Sequence, residues 1–248
     1  MKSSMIRIGN FLFRHRNQAF PIIILLLFLV APPPSETLGS TTLARVKDVV
    51  AVLVALSGLA LRATVIGYAY IQRGGLNKKV YAKNLVTEGM FGICRNPLYV
   101  GNLLIYAAVF LMHGDPQVVT TGIASFLFMY QCIIYAEEDY LEGKFGEGYR
   151  VYCADVPRWI PRFRKFAEAT EGMAFNLKRV IGKDYSTISA TVIALLSVDI
   201  YEHLAVPEPT ANRSYLLLLA ALIALIGLMA GVIRILKKRG NFRESKAV

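Results

Sequence analysis

The chain is poor in the residues from which soluble active sites are commonly built. It has three cysteines and three histidines in 248 residues. Cys94, Cys132 and Cys153 show no paired spacing, and His15, His113 and His203 are scattered. The sequence therefore offers neither a disulfide framework nor a ligand set for zinc or a di-iron centre, and no metal site is expected. No G-x-G-x-x-G occurs, which removes the glycine-rich turn that cradles nucleotides in soluble α/β folds. Acidic residues are few, 17 against 28 Lys and Arg. No internal repeat or low-complexity tract is present, whereas a repeat-built transporter would leave such a mark.

Apolar residues are what the chain has in excess, at 55%. That is more than the covered core of a soluble domain of this length requires, so the chain reads as an integral membrane protein. A hydrocarbon layer of about 30 Å takes roughly 20 apolar residues per helix. Such stretches run over 46–71, 97–112, 118–136, 186–200 and 214–236, with a weaker one over 19–31. The expected fold class is all-α, a polytopic integral membrane helical bundle of about six transmembrane helices.

The charges order these spans, because loops that stay in the cytoplasm keep Lys and Arg. Residues 1–18, 72–96, 137–185 and 234–248 hold four, five, nine and six of them, 24 of the 28. The loops between, 32–44, 113–117 and 205–212, hold none. Six crossings with cytoplasmic N- and C-termini put all the basic segments on one side. The net charge of +11 then reads as topology and attraction to anionic membrane lipids, with no nucleic-acid partner expected. A prokaryotic cytoplasmic membrane is the expected location. The oligomeric state is not readable.

Four regions follow: 1–45, a basic segment and first anchor; 46–161, a membrane core; 162–185, an amphipathic linker; 186–248, a C-terminal transmembrane hairpin with a basic tail. The first region also imitates a secretory signal. Cleavage after Ala31 would leave Pro32 at the cut, so a retained anchor is the preferred reading, and Pro32-Pro33-Pro34 ends it. In the linker, Phe163, Phe166, Phe175 and Leu177 alternate with charges, which suits an interfacial helix.

Two stretches carry the chemistry. The first is Arg95-Asn96-Pro97-Leu98-Tyr99-Val100-Gly101. Proline is tolerated in the first turn of a helix, Gly101 permits close backbone approach on the Pro97 side, and Tyr99 sits at headgroup level. Arg95 can meet a phosphate or carboxylate, or serve with Tyr99 as an ordinary interfacial anchor. The second is Glu137-Glu138, then Phe145-Gly146, Tyr149, Tyr152 and Val156-Pro157-Arg158-Trp159-Ile160-Pro161. Adjacent carboxylates at the end of an apolar helix repel unless a cation sits nearby, either a ligand's or that of Lys144 or Arg150 in a solvated salt-bridged end. Arg62 lies about nine residues, or ~14 Å, inside the second span. It can neutralise Glu137 or Glu138, grip an anionic group, or snorkel to the interface. Asp199, Glu202 and His203 read as an interfacial helix end.

From 56 through 161 these residues resemble the isoprenylcysteine carboxyl methyltransferase family, which is itself similar to the phospholipid N-methyltransferases. The shared pattern is an Arg/His-Pro-x-Tyr-x-Gly segment opening one span, then a Glu pair, a Phe-Gly, two tyrosines and a Val-Pro-x-x-Ile-Pro element. The resemblance implies a membrane methyltransferase using S-adenosyl-L-methionine at the cytoplasmic face, acting on a lipophilic small-molecule or lipidated acceptor from the bilayer. By motif position, Gly89, Arg95, Asn96, Pro97, Leu98, Tyr99, Glu137, Tyr152 and Arg158 would bind the cofactor. Glu138, Tyr149 and Arg62 would be catalytic, with Glu138 or Tyr149 the base for an acceptor that must lose a proton. Two departures narrow this. Asn96 stands where prenylcysteine-methylating members carry His, and Asn cannot take a proton at neutral pH. Ile133 stands where an arginine would pair with a prenylcysteine carboxylate. Other readings are a transporter, a scaffold subunit and a membrane reductase using a nicotinamide cofactor, which shares the Arg-x-x-Tyr-x-Gly theme.

Overall fold

A computed structural model describes residues 2–68, 82, 84–205 and 213–242. Part of the basic loop before Asn96, the loop at 206–212 and the end of the tail lie outside the described residues, and with them Arg73, Lys78, Lys79, Lys83, Arg243 and Lys246.

The described residues are helical apart from turns and loops, with no strand among them. The order is α1 (Lys2–Phe28), α2 (Thr41–Tyr68), α3 (Met90–Ile93), α4 (Pro97–His113), α5 (Pro116–Phe145), α6 (Glu147–Asp155), a 3-10 turn (Phe163–Lys165), α7 (Phe166–Ala169), α8 (Leu177–Ala205) and α9 (Arg213–Lys238). Four of these, α2, α5, α8 and α9, are long and apolar enough to cross a membrane. α4 is apolar but has 17 residues, about 26 Å of helix. α1 is not in the group of four, because its first half is basic.

Local chemistry sets the helix ends. α4 stops at Gly114, whose φ of 82° is open to glycine, and its N–H caps the Phe110 carbonyl. Asp115 then caps α5, its Oδ1 accepting from Gln117 N at 3.0 Å and Val118 N at 2.9 Å, with Pro116 in the first turn. Two residues, Gly114 and Asp115, thus turn the chain back and lay α4 and α5 antiparallel. α5 runs on to Phe145, so Glu137 and Glu138 lie inside the helix, two turns before its end. The linker differs from the single interfacial helix expected: it is a 3-10 turn, one α turn, and the start of α8 at Leu177.

Close backbone approach organises the bundle. A Cβ on Gly58 of α2 would lie 2.7 Å from the Gly101 carbonyl of α4, and one on Gly101 would lie 2.6 Å from Arg62 Cγ. Glycine at both positions therefore lets α2 and α4 touch, which is the role Gly101 suggested. On the other side α1 packs on α5 through Leu12, Phe13 and Phe20 against Phe126, Tyr130 and Ile133. α9 buries only Leu219, against α8 and the surroundings of its outer end, and presents Leu217, Leu225, Leu228 and Val232 outward. Such a surface suits lipid and not water.

Candidate active site

The two sequence stretches meet at one end of the bundle. The link begins with backbone: Arg95 N donates to Pro157 O at 2.8 Å, and Arg162 N donates to Ile93 O at 3.0 Å. Asn96 does not cap α4 with its side chain. Its Nδ2 donates to the Arg158 carbonyl at 3.1 Å instead, and Trp159 Nε1 donates to Gln131 Oε1 of α5 at 3.0 Å. The Val-Pro-Arg-Trp-Ile-Pro segment is therefore strapped across the start of α4 and onto α5.

The paired carboxylates diverge. Successive residues on a helix point about 100° apart, so Glu137 and Glu138 reach different neighbours. Glu137 Oε1 accepts from the Tyr99 hydroxyl at 2.6 Å, and Arg16 of α1 reaches that hydroxyl at 3.5 Å. Glu138 is held by two guanidiniums: Arg95 NH1 at 3.1 Å, and Arg158 through Nε at 2.9 Å and NH2 at 2.8 Å. The forked Arg158 contact matches carboxylate geometry. Neither partner is one of the cations first considered: Arg150 pairs with Glu142 and Glu147, and Lys144 donates to the Ala82 carbonyl.

Tyr149 and Tyr152 lie on α6 and are buried with Leu141 and Val156. Tyr152 donates to the Phe91 carbonyl at 2.8 Å, tying α6 to α3. Burial, and then the Glu138 charge, push the Tyr149 hydroxyl above its ordinary range, so it holds its proton at neutral pH. Burial likewise pushes the Cys94 thiol from 9.0 up to about 11. Hydrogen bonding to Glu138 holds Arg158 above its usual value.

Three further residues take separate positions. Leu98 packs on Leu61 and Val65 of α2 beside the buried Pro97. Gly89, at φ 58°, precedes α3 and lines a polar cleft of about 360 Å³ with Asp155, Lys165 and Glu168, whose walls include neither Tyr99 nor Glu137. Arg62 meets neither glutamate. It is bound through Nε to Asp184 Oδ2 of α8 at 3.0 Å, and through NH2 to Asp184 Oδ1. Asn102 and Thr187 also accept from it. The expected neutralisation of Glu137 or Glu138 is corrected accordingly: α2 turns Arg62 toward α8, where a buried carboxylate meets it.

Asp184, the partner of Arg62, is a buried charge that sequence reading missed. It is the acidic residue closest before the 186–200 span, and it had been assigned to the linker. Arg16 was missed because α1 read as an anchor alone. Next to Asn102 and Thr187 opens an apolar cavity of about 630 Å³ between α1, α4 and α8, walled by Ile24, Ile105, Val109, Ala194 and Tyr201 among others. A cluster of His, Cys, Asp and Glu able to hold a metal ion is absent among the described residues.

The model of the phospholipid methyltransferase family matches residues 46–148. Over 78 residues the chain is 35% identical to the cobalt-zinc-cadmium resistance protein CzcN of Cupriavidus metallidurans, a match covering 32% of this chain and 36% of that one. The chain thus spans about a third of the length of this curated relative. No solved structure matches.

Proposed function

We propose, for a chain that carries the phospholipid methyltransferase pattern over residues 46–148, that it is a membrane methyltransferase using S-adenosyl-L-methionine to methylate a lipophilic acceptor drawn from the bilayer. One observation carries the reading: both motifs converge on the Glu137–Glu138 pair through Tyr99, Arg95 and Arg158.

The residues present fit such a cofactor. Glu137 offers carboxylate oxygens for an ammonium group, while Arg95 and Arg16 offer guanidinium donors for a carboxylate. Asn96 and Arg158 lie beside these groups through the strap, while Leu98 with Pro97 packs on α2, Tyr152 ties α6 to α3, and Gly89 lines a separate cleft. When bound, S-adenosylmethionine supplies a methyl group made electrophilic by its sulfonium. The protein's part is positioning and exclusion of water, which together are worth several kcal/mol in a direct displacement. Tyr99 fixes the rotamer of Glu137. Arg95 and Arg158 cancel the Glu138 charge and lock the 156–161 strap. Tyr149 keeps its proton, so Glu138 is left as the candidate acceptor of a proton from a neutral nucleophile.

The same reading gives the topology. With α1 and α4 added to the four long helices, the chain crosses six times. Arg16 beside Tyr99 supports a common level for the middle of α1 and the start of α4, and Lys237 over the Tyr185 ring one for the start of α8 and the end of α9. The basic segments favour the cytoplasmic side for these levels, where the cofactor is made available.

Calorimetric titration of S-adenosylmethionine into detergent-purified protein tests this. Saturable binding is expected, with Glu137→Ala reducing it at least tenfold while the thermal unfolding profile is kept. Well-folded wild type that shows no binding, with or without added lipid extract, would overturn the reading.

A further inference from the structure

The large cavity has a polar inner end whose chemistry restricts what enters it. Of the residues lining it, Asn102 and Thr187 lie nearest the motif end. Arg62 donates to both, NH1 to Asn102 Oδ1 and NH2 to Thr187 Oγ1 at 3.2 Å. With those oxygens turned to the guanidinium and one amide N–H of Asn102 given to the Tyr130 hydroxyl, the second N–H of Asn102 and the O–H of Thr187 remain to be offered. The charge behind them is already cancelled, because Arg62 and Asp184 are paired with side chains only 12% and 2% exposed. The cavity end is therefore rich in donors and carries no net charge.

This combination excludes most headgroups. A carboxylate or phosphate brought there would lose its water and meet no uncompensated cation, and an ammonium would find no carboxylate in the lining, only neutral hydroxyls such as that of Tyr106. An uncharged oxygen, in a ketone, ester, ether or alcohol, loses little on desolvation and is met by N–H and O–H. The rest of the cavity is apolar and elongated. From Thr187 to Tyr201 its α8 wall runs fourteen residues, about 21 Å of helix, or roughly two thirds of a ~30 Å hydrocarbon layer. Ala190 and Ala194 keep that wall low.

We infer that this cavity binds a single-chain, uncharged amphiphile, its hydrogen-bond-accepting oxygen between Asn102 and Thr187 and its tail extending toward Tyr201. Resting on the methyl-transfer reading, this names the acceptor as the alcohol of that class, which alone has an O–H proton to give up, to Glu138, as its oxygen takes the methyl group; Asn102 stands three residues, one helical turn, from Tyr99 on α4. Its specificity is set by α8, which lies outside the matched residues 46–148.

The test measures binding without cofactor, so it stands or falls apart from the methyl-transfer reading. Three radiolabelled probes of one tail length are compared in nanodiscs: a long-chain methyl ketone, the fatty acid and the primary amine. The ketone is expected to bind saturably, at least tenfold tighter than either charged probe. Ala194→Phe, which fills the tail path, abolishes that binding. Thr187→Val, nearly isosteric and leaving Arg62 on Asp184 and Asn102, weakens the ketone threefold to tenfold, the loss of about one hydrogen bond, and leaves the charged probes unchanged. Equal or tighter binding of the acid or amine overturns the headgroup assignment, as does an unaltered ketone affinity in Thr187→Val. Equal weak uptake of all three means a lipid-filled crevice only, and overturns the inference as well.

Discussion

Glu138 with Arg95 and Arg158, and Asp184 with Arg62, are two arginine–carboxylate clusters built from the same groups in opposite settings. The Glu138 cluster lies at the end of the bundle, where Arg158 keeps a third of its side chain exposed and Arg95 and Glu138 keep about an eighth. Its parts are strapped together by backbone hydrogen bonds between 93–95 and 157–162. The Asp184 cluster joins two membrane helices, two turns inside α8 from its start, with no strap; Arg62 is about as exposed as Arg95, but Asp184 is closed to the surroundings at 2%. The first cluster can exchange partners with water and ligand. The second can only hold, because a lone charge in hydrocarbon has nowhere to go.

The comparison breaks most visibly at Asp184. Asp184→Leu leaves Arg62 buried and unpaired, and should cost about 3–5 kcal/mol of stability in detergent unfolding. Arg62→Met combined with Asp184→Leu should recover most of that, because the buried pair gives little net stability. A double variant no better than the single would mean that the cluster stabilises beyond mutual neutralisation.

Glu138→Gln should cost less, about 1–2 kcal/mol, since water reaches Arg158. Its larger effect should be a loss of cofactor affinity by loosening of the strap. Tyr99→Phe removes one interhelical hydrogen bond, and about 1 kcal/mol or a fivefold weaker cofactor titration is expected.

A smaller effect sharpens the comparison through pH. Cys94, under the strap, has a folded pKa of about 11 against an ordinary 9.0. The folded state holds this proton more tightly, so stability is full below about pH 9 and is lost as pH rises from there toward 11. Tyr149, shifted in the same direction, adds to the loss at higher pH. Cys94→Ala should flatten the limb between pH 9 and 11 in unfolding measured across pH. Least of all, Arg150→Ala should change neither stability nor binding measurably, because its pairs with Glu142 and Glu147 are exposed on both sides.

Much of the site was legible because its signals are local. Pro97 after Asn96 marks a helix start, Gly101 marks a close approach, and adjacent glutamates in an apolar helix call for cations, which Glu138 finds in Arg95 and Arg158 while Glu137 meets the Tyr99 hydroxyl. The identity of those cations was less accessible. Lys144 and Arg150 are nearer in sequence, but Lys144 reaches the Ala82 carbonyl and Arg150 the exposed Glu142 and Glu147, whereas Arg158 returns from a strap that only the folded chain forms. Arg62 illustrates the same limit. Its depth in the second span was readable, but its partner is 122 residues away, and no periodicity in α2 points to α8. The linker was misread as one helix because alternating aromatics and charges suit an interfacial helix as well as a chain of short turns.

By itself the sequence determined that the chain is built of apolar helices suited to a bilayer, where α4 and α9 begin and end, and which motifs stand beside the helix ends. Apolar run length, proline and glycine placement, and caps act within a few residues, so they need no fold to be effective. Only the tertiary structure decided that Glu137 and Glu138 face different neighbours, that Arg62 belongs to Asp184, and that α1, α4 and α8 leave an elongated cavity between them. Those outcomes depend on which helix faces pack together, and that is set by shape and desolvation summed over the whole bundle.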